Sequence, residues 1–511
     1  MIRQYNLYRL IQSLSQGEKR SFRFYAKKYH KKNDSAYVRL YEILNGMSNY
    51  NAENLEKALK NESFYKQSSV VSNQLFNLIL ASLRARKLDN NPMFSINEKI
   101  EFAQILFERG LFRDAKNYIF RAKELAKKTQ QYEQLLFIFS QEHHLMKHLL
   151  SIKDYQTYAY ELRKEQQKLW KIVQNQQDFS NLIDRLYHIY RQHDMPRHES
   201  EAERYTSLFE HELLQDESQA LSLKALIDFH RIYMFYYESL GKREDAYRHI
   251  KIQLDLLNEN DFFIKVYPDI YISVLNNVIF IGLELSKYDD YHNNLAILQN
   301  IEKKIGKLNK YLEYRIWEIT HSTQLEYFVK KIEIKQGLSL VKEIKKGVSN
   351  FQNVGISIDR IIRMYFGLSL LHFYDNKWGK ANEWIIKVLE YEDSKTALHI
   401  MGYTKILDLM LHFNQKNYHF LQRHIKTVWR YLQRNKRLFE LESCILKYLK
   451  ELCMQKHSID HKNILQNFLA EINILKAKNM NSPLISHLKI DIWIESHLRN
   501  TPFSVLILVQ E

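Results

Sequence analysis

Glycine and proline are scarce in this chain, at 12 and 5 of 511 residues. Average usage is about 7% and 5%, so long helices with few irregular loops are expected. Cysteine is nearly missing. Cys444 and Cys453 stand nine residues apart, on different sides of any helix. No disulfide framework exists, and a reducing compartment fits. No apolar run approaches the ~20 residues of a membrane helix. The opening MIRQYNLYRLIQSLSQGEKR lacks the apolar core and small-residue cleavage site of a signal peptide. The expectation is a cytoplasmic protein with no membrane partner. No stretch reads GxxxxGK[ST], GxGxxG or GxSxG. Ser, His and acidic residues are plentiful, but no spacing selects a triad. A non-catalytic protein without a cofactor is expected.

Acidic residues fall short of basic ones, and the formal charge is +16. Residues 1–90 hold 16 Lys and Arg against 7 Asp and Glu, or +9. The other 421 hold 59 against 52, or +7. Asn, Lys, Ile and Tyr are abundant, as AT-rich bacterial genomes favour. A uniform bias would not put half the excess at one end, so this segment has its own electrostatic character.

What is present is an order of residues that recurs. In YDNKWGKANEWIIKVLE a polar turn at Asn376 and Lys377 precedes Trp378, Ala381, Ile385 and Val388. Those steps of 3, 4 and 3 set all four on one helix face. The small Ala381 marks where another helix comes close. The same register begins at Phe112, Tyr155, Glu199, Arg243, Tyr288, Ile334 and Tyr418. With Trp378, the steps are 43, 44, 44, 45, 46, 44 and 40 residues. Amphipathic helices alone do not impose a constant step. A period of 20–50 residues indicates a solenoid. Between these helices lie others, such as RIIRMYFGLSLLHFY, so each period holds a helix pair, A then B. One pair cannot bury its own apolar face, and stacking neighbours completes the core.

ERGLFRDAKNYIFRAKEL and YDNKWGKANEWIIKVLE resemble the second half of a tetratricopeptide repeat. Gly110, Phe112, Ala115, Ile119 and Ala122 match that motif. Ala381 and Ile385 match too, while Asn376 replaces its Gly and Val388 its last small residue. The period of 44 exceeds the family's 34, and no Pro closes the repeats. Over about residues 93–430 the resemblance implies a right-handed superhelix whose concave surface holds a peptide or partner helix. The peptide-clamp residues are not carried over.

The expected domains are a basic helical segment over 1–90, a TPR-like α-solenoid of about eight hairpins over 93–450, and capping helices with a tail over 451–511. In the first, SQGE (Ser15 to Glu18) is a capping box opening a helix to about His30. Further helices are expected at 34–46, 52–60 and from Ser68, with a linker at Leu88–Pro92. LIQSLSQGEKRSFRFYAKKY followed by NQLFNLILASLRA resembles the start of uncharacterised bacterial helical-repeat proteins, which brings no activity with it. The helices 52–60 and from Ser68 also match the outline of a helix-turn-helix, but the second opens with uncharged residues. KIDIWI reads as helix, with a strand as the alternative.

Two basic stripes are the candidate partner-binding residues. Lys19, Arg23, Lys27 and Lys31 repeat every four residues, and Arg423, Lys426, Arg430, Arg434 and Arg437 follow at 3, 4, 4 and 3. A solvated face is the plainer reading. The functional one is a track for phosphates or an acidic protein. Three clusters hold residue types that ligate metals: Glu142, His144 and His148; Cys453, His457 and His461; and His188, His193 and His198. None has the spacing of an established metal motif. The expected function is a protein–protein interaction scaffold or adaptor with a protein or peptide partner. The alternative is a nucleic-acid-binding protein or peptide-responsive regulator that uses the basic amino-terminal segment.

Overall fold

The computed structural model describes residues 2–29, 36–87, 91–193, 207–351, 355–394, 397–454, 458–478 and 483–509. It is all-α, with no strand among the described residues. By their contacts the residues divide into two compact units, 1–313 and 314–511, each taken here by itself. Among the described residues no helix is long and apolar enough to cross a membrane.

The first unit opens with α1 (Ile2–Ser13), α2 (Gln16–Tyr29), α3 (Ala36–Gly46), α4 (Ala52–Lys60) and α5 (Ser68–Lys87). The capping box forms: the Ser15 N–H donates to the Glu18 carboxylate at 2.8 Å, and the Glu18 N–H to Ser15 Oγ at 3.3 Å. Helices α1, α2 and α3 all pack on α5 around Leu7, Phe22, Tyr41, Leu75 and Ile79. The exposed face of α5 carries Asn73, Gln74 and Asn77, and no cation before Arg84. A recognition helix would need cations there.

The series then starts. Asn91 caps α6 (Pro92–Glu108), whose Pro stands where the first N–H needs no partner. Next come α7 (Phe112–Lys128), α8 (Tyr132–Met146), α9 (Ile152–His193), α10 (Leu223–Ser239), α11 (Arg243–Asn258), α12 (Asp261–Val266), α13 (Pro268–Glu284), α14 (Tyr288–Gln299) and α15 (Glu302–Ile305). The boundary between the units falls within α16 (Lys310–Lys330). The second unit continues with α17 (Ile334–Ser339), α18 (Val341–Phe351), α19 (Ile358–Tyr374), α20 (Trp378–Leu389), α21 (Leu398–Asn414), α22 (Tyr418–Arg434), α23 (Glu440–Met454) and α24 (Ser458–Lys478). Helices α6 to α11 pack in chain order, each on the next, and so do α19 to α24.

Six helices begin on the first residue of the recurring register: Phe112, Arg243, Tyr288, Ile334, Trp378 and Tyr418. Two residues earlier each has a left-handed residue, namely Gly110, Gly241, Ser286, Ile332, Asn376 and Lys416, with φ between 55° and 77°. The next N–H then reaches back five residues, as from Leu111 to the Leu106 carbonyl (2.9 Å) and from Lys377 to the His372 carbonyl (2.9 Å). This is the Schellman closure of an A helix, followed at once by B. Only two of the six are Gly, so the turn persists where a side chain costs roughly 1 kcal/mol in that conformation. The second register position is the close approach. Ala115, Ala246 and Ala381 are at most 1% exposed. At Gly337 a Cβ would collide with Leu371.

Two register positions depart. Tyr155 lies three residues inside α9, which runs unbroken for 42 residues. The expected turn near its middle does not form. The stretch 152–193 has neither Gly nor Pro, is rich in Gln with several Lys and Leu, and holds no left-handed residue among those described. Glu199, Ala202 and Thr206 lie outside the described residues. In KIDIWI the residues from Ile490 on are helical, within α26 (Ile490–Leu498), and Lys489 is the left-handed residue that separates it from α25 (Pro483–Leu488); α27 (Phe503–Val509) follows.

Candidate functional site

Helix α21 is buried without interruption from Ile400 to Leu411. A helix buried on every side needs neighbours on every side. Its cover is α19, α20, α22 and α25. The last helices therefore return over the A helices α19 and α21, where α27 also packs on α19. Leu484, Leu488, Ile490, Ile494 and Ile507 have no exposed surface.

Polar groups fix this returning segment at its ends. The Tyr374 hydroxyl donates to the His487 carbonyl. His487 Nε2 meets Glu326 at 2.7 Å. Asn376 Nδ2 donates to Ser504 at 2.8 Å. Asn414 Oδ1 accepts from both Trp493 Nε1 (3.0 Å) and His497 Nε2 (2.9 Å). Asn376 and Asn414 stand at the ends of A helices, beside the recurring turn. Buried donors without such partners would cost about 1–3 kcal/mol each, so these bonds also set the register of the segment. Despite burial, the His487 imidazole holds the Glu326 carboxyl below its ordinary value.

Beside this contact a cleft of about 310 Å³ is lined by Asn414, Lys416, Tyr418, His461, Lys462 and His497, among others. Burial pushes the His497 imidazole from 6.5 down to about 4. The folded state thus disfavours the charged ring. Stability is full above pH 6.5 and is lost as pH falls from 6.5 to 4. From pH 7 to 5 this one group removes about 2 kcal/mol. His497→Gln is expected to flatten the dependence of the urea midpoint on pH over that range. Equal slopes in parent and variant would contradict this origin.

The basic stripes fare differently. In α2, Arg23 is spent on Glu42 of α3 through two bonds of 2.9 and 3.1 Å. Lys19 is partly buried, and desolvation together with the Arg23 charge lowers its pKa. The Lys27 side chain and Lys31 lie outside the described residues. In α22, Arg423, Lys426, Arg430 and Arg434 are all exposed. The helix ends at Arg434. Arg437 follows a left-handed Lys436, and its N–H bonds back to the Leu432 carbonyl at 2.7 Å. The stripe is therefore four residues long.

Among the described residues no three His, Cys, Asp or Glu groups come together as metal ligands. His144 and His148 pack on Phe107, and His148 stacks on Phe112 at 4.6 Å. Glu142 is buried and paired with Lys123 at 2.8 Å. His457 and His198 lie outside the described residues, as does the His193 side chain. Both cysteines are buried and free. Burial pushes the Cys444 thiol up to about 12 and that of Cys453 up to about 11. One pair escaped the sequence reading: His230 and His249 meet Nδ1 to Nδ1 at 3.0 Å, and burial lowers both to about 4. Their separation of nineteen residues carries no periodic signal. The chain matches no protein-family profile, no curated protein and no solved structure.

Proposed function

We propose that the protein is a cytoplasmic, non-catalytic scaffold or adaptor, a TPR-like α-solenoid whose A helices hold a segment of another protein. One observation carries the reading. In the second unit the A helices α19 and α21 already hold a helical polypeptide, the chain's own residues 483–509, through apolar packing and side-chain hydrogen bonds. The same kind of surface suits a partner where it is uncovered. In the first unit, α10 leaves Lys224, Arg231 and Phe235 partly exposed along one stripe, and α13 leaves Ser273, Asn276, Asn277 and Phe280. Phe280 is 39% exposed. An aromatic anchor among polar side chains is the usual make-up of a binding hot spot.

The test uses whatever protein remains bound after purification, with crosslinks from α10 and α13 mapped. Phe235→Ala together with Phe280→Ala should weaken retention by about 30-fold, the effect of losing an anchor of about 2 kcal/mol. Phe235 also packs on the core around Phe179 and Ile232, so some loss of thermal stability is expected, and Phe280→Ala alone is the control in which unfolding should barely change. Crosslinks confined to B helices, or retention unaffected by the double substitution, would refute the reading.

A further inference from the structure

We propose that the exposed face of α22 binds single-stranded nucleic acid, independently of the polypeptide reading above. The sequence of this helix, YHFLQRHIKTVWRYLQR, contains no acidic residue. Leu421, Ile425, Val428, Tyr431 and Leu432 bury one side. At 100° per residue, Arg423, Lys426, Arg430 and Arg434 fall within an arc of about 80° on the opposite side. Among the described residues none of the four has a carboxylate partner. This sets them apart from Lys380, which meets Glu383 at 2.8 Å, and from Lys405, which meets Glu392 at 2.8 Å. A helix face that merely needs solvation mixes both signs, as i,i+4 pairs lower its cost. This one repels itself and favours a polyanion.

From Arg423 to Arg434 the stripe rises by eleven steps, or about 16 Å at 1.5 Å each. That is the length of about five stacked nucleotides at 3.4 Å per phosphate. Three of the four cations are guanidinium groups, which grip phosphate through two donors. The choice of nucleic acid over an acidic peptide rests on Trp429. The residue is 37% exposed. It lies three residues after Lys426, on the flank of the stripe, and among the described residues it stacks on no other ring. A partly exposed aromatic side chain beside a row of phosphate contacts is what single-strand binding uses to stack bases, without regard to sequence.

The experiment is a titration of the full, nuclease-treated chain with a labelled oligothymidylate of about 20 nucleotides. Four phosphate contacts to a single strand predict a log–log salt slope of about −2.8, hence roughly 50-fold weaker binding at ~200 than at ~50 mM salt. Changing Arg423, Lys426, Arg430 and Arg434 together to Gln should bring that slope close to zero. Trp429→Ala should weaken binding about tenfold at an unchanged slope, and Trp429→Phe should recover most of it. All these positions are exposed or half-buried, and thermal unfolding serves as the control for folding. Three outcomes would overturn the proposal: no binding at the lower salt, an unchanged slope in the quadruple variant, or preference for polyglutamate over the oligonucleotide.

Discussion

Trp493→Ala is expected to destabilise residues 314–511 by about 3–5 kcal/mol, measured by urea unfolding. Trp493 is 1% exposed. Its ring packs edge-on against Phe413 at 5.4 Å and against His497 at 4.8 Å. The substitution removes that volume and leaves a cavity beneath α21. It also takes away one of the two donors to Asn414 Oδ1. Trp493→Phe keeps part of the volume and loses the hydrogen bond, so a cost of about 1–2 kcal/mol is expected. If the alanine variant unfolded like the parent, the returning segment would be an ornament of the fold and not its cover.

Gly347→Val has the second large effect. Gly347 is a buried residue of α18, and a Cβ there would fall inside the Trp317 indole. Retreat of the indole would disturb Phe351 and His321, whose rings each pack on it at 5.4 Å. Overpacking of this kind costs about 1–3 kcal/mol, and valine, branched and bulky, belongs at the upper end. Even Gly347→Ala should destabilise, although alanine gains about 1 kcal/mol of helix propensity. Gly379 gives the contrast. A Cβ there meets nothing within 4 Å, so Gly379→Ala should stabilise by about 0.5 kcal/mol. Thermal unfolding of the three variants checks the order.

The repeated turn was legible because it is local. A left-handed residue, an aromatic or apolar start and a small residue three places on all act within one hairpin. Trp378, Ala381, Ile385 and Val388 therefore took up the face that their spacing implied. The start of α2 was legible for the same reason, through Ser15 and Glu18 as a capping box. What escaped was tertiary. Nothing near Arg23 in the sequence announces Glu42, which α3 brings to it. The fusion within α9 came from the lack of a strong breaker, and a gentle register could not reveal it. The return of residues 483–509 left no clear trace either. LHIMGYTKILDLMLHF carries Thr404, Lys405, Asp408 and His412 along one side, and that side is buried only because neighbours pair its charges, as Glu392 does for Lys405 and His424 for Asp408. The geometry of the basic stripes was half legible: Arg423, Lys426, Arg430 and Arg434 lie exposed along α22, without Arg437, whereas Arg23 of the α2 stripe is neutralised by a neighbour.

Helices α6 to α11 pack in series, each on the next, and so do α19 to α24, which in such folds confines a disturbance to neighbouring hairpins. Amide hydrogen exchange of Gly347→Val against the parent tests it most directly. The account predicts lost protection concentrated in residues 314–374, with α6 to α8 exchanging as in the parent. An equal loss of protection from α6 through α24 would contradict it.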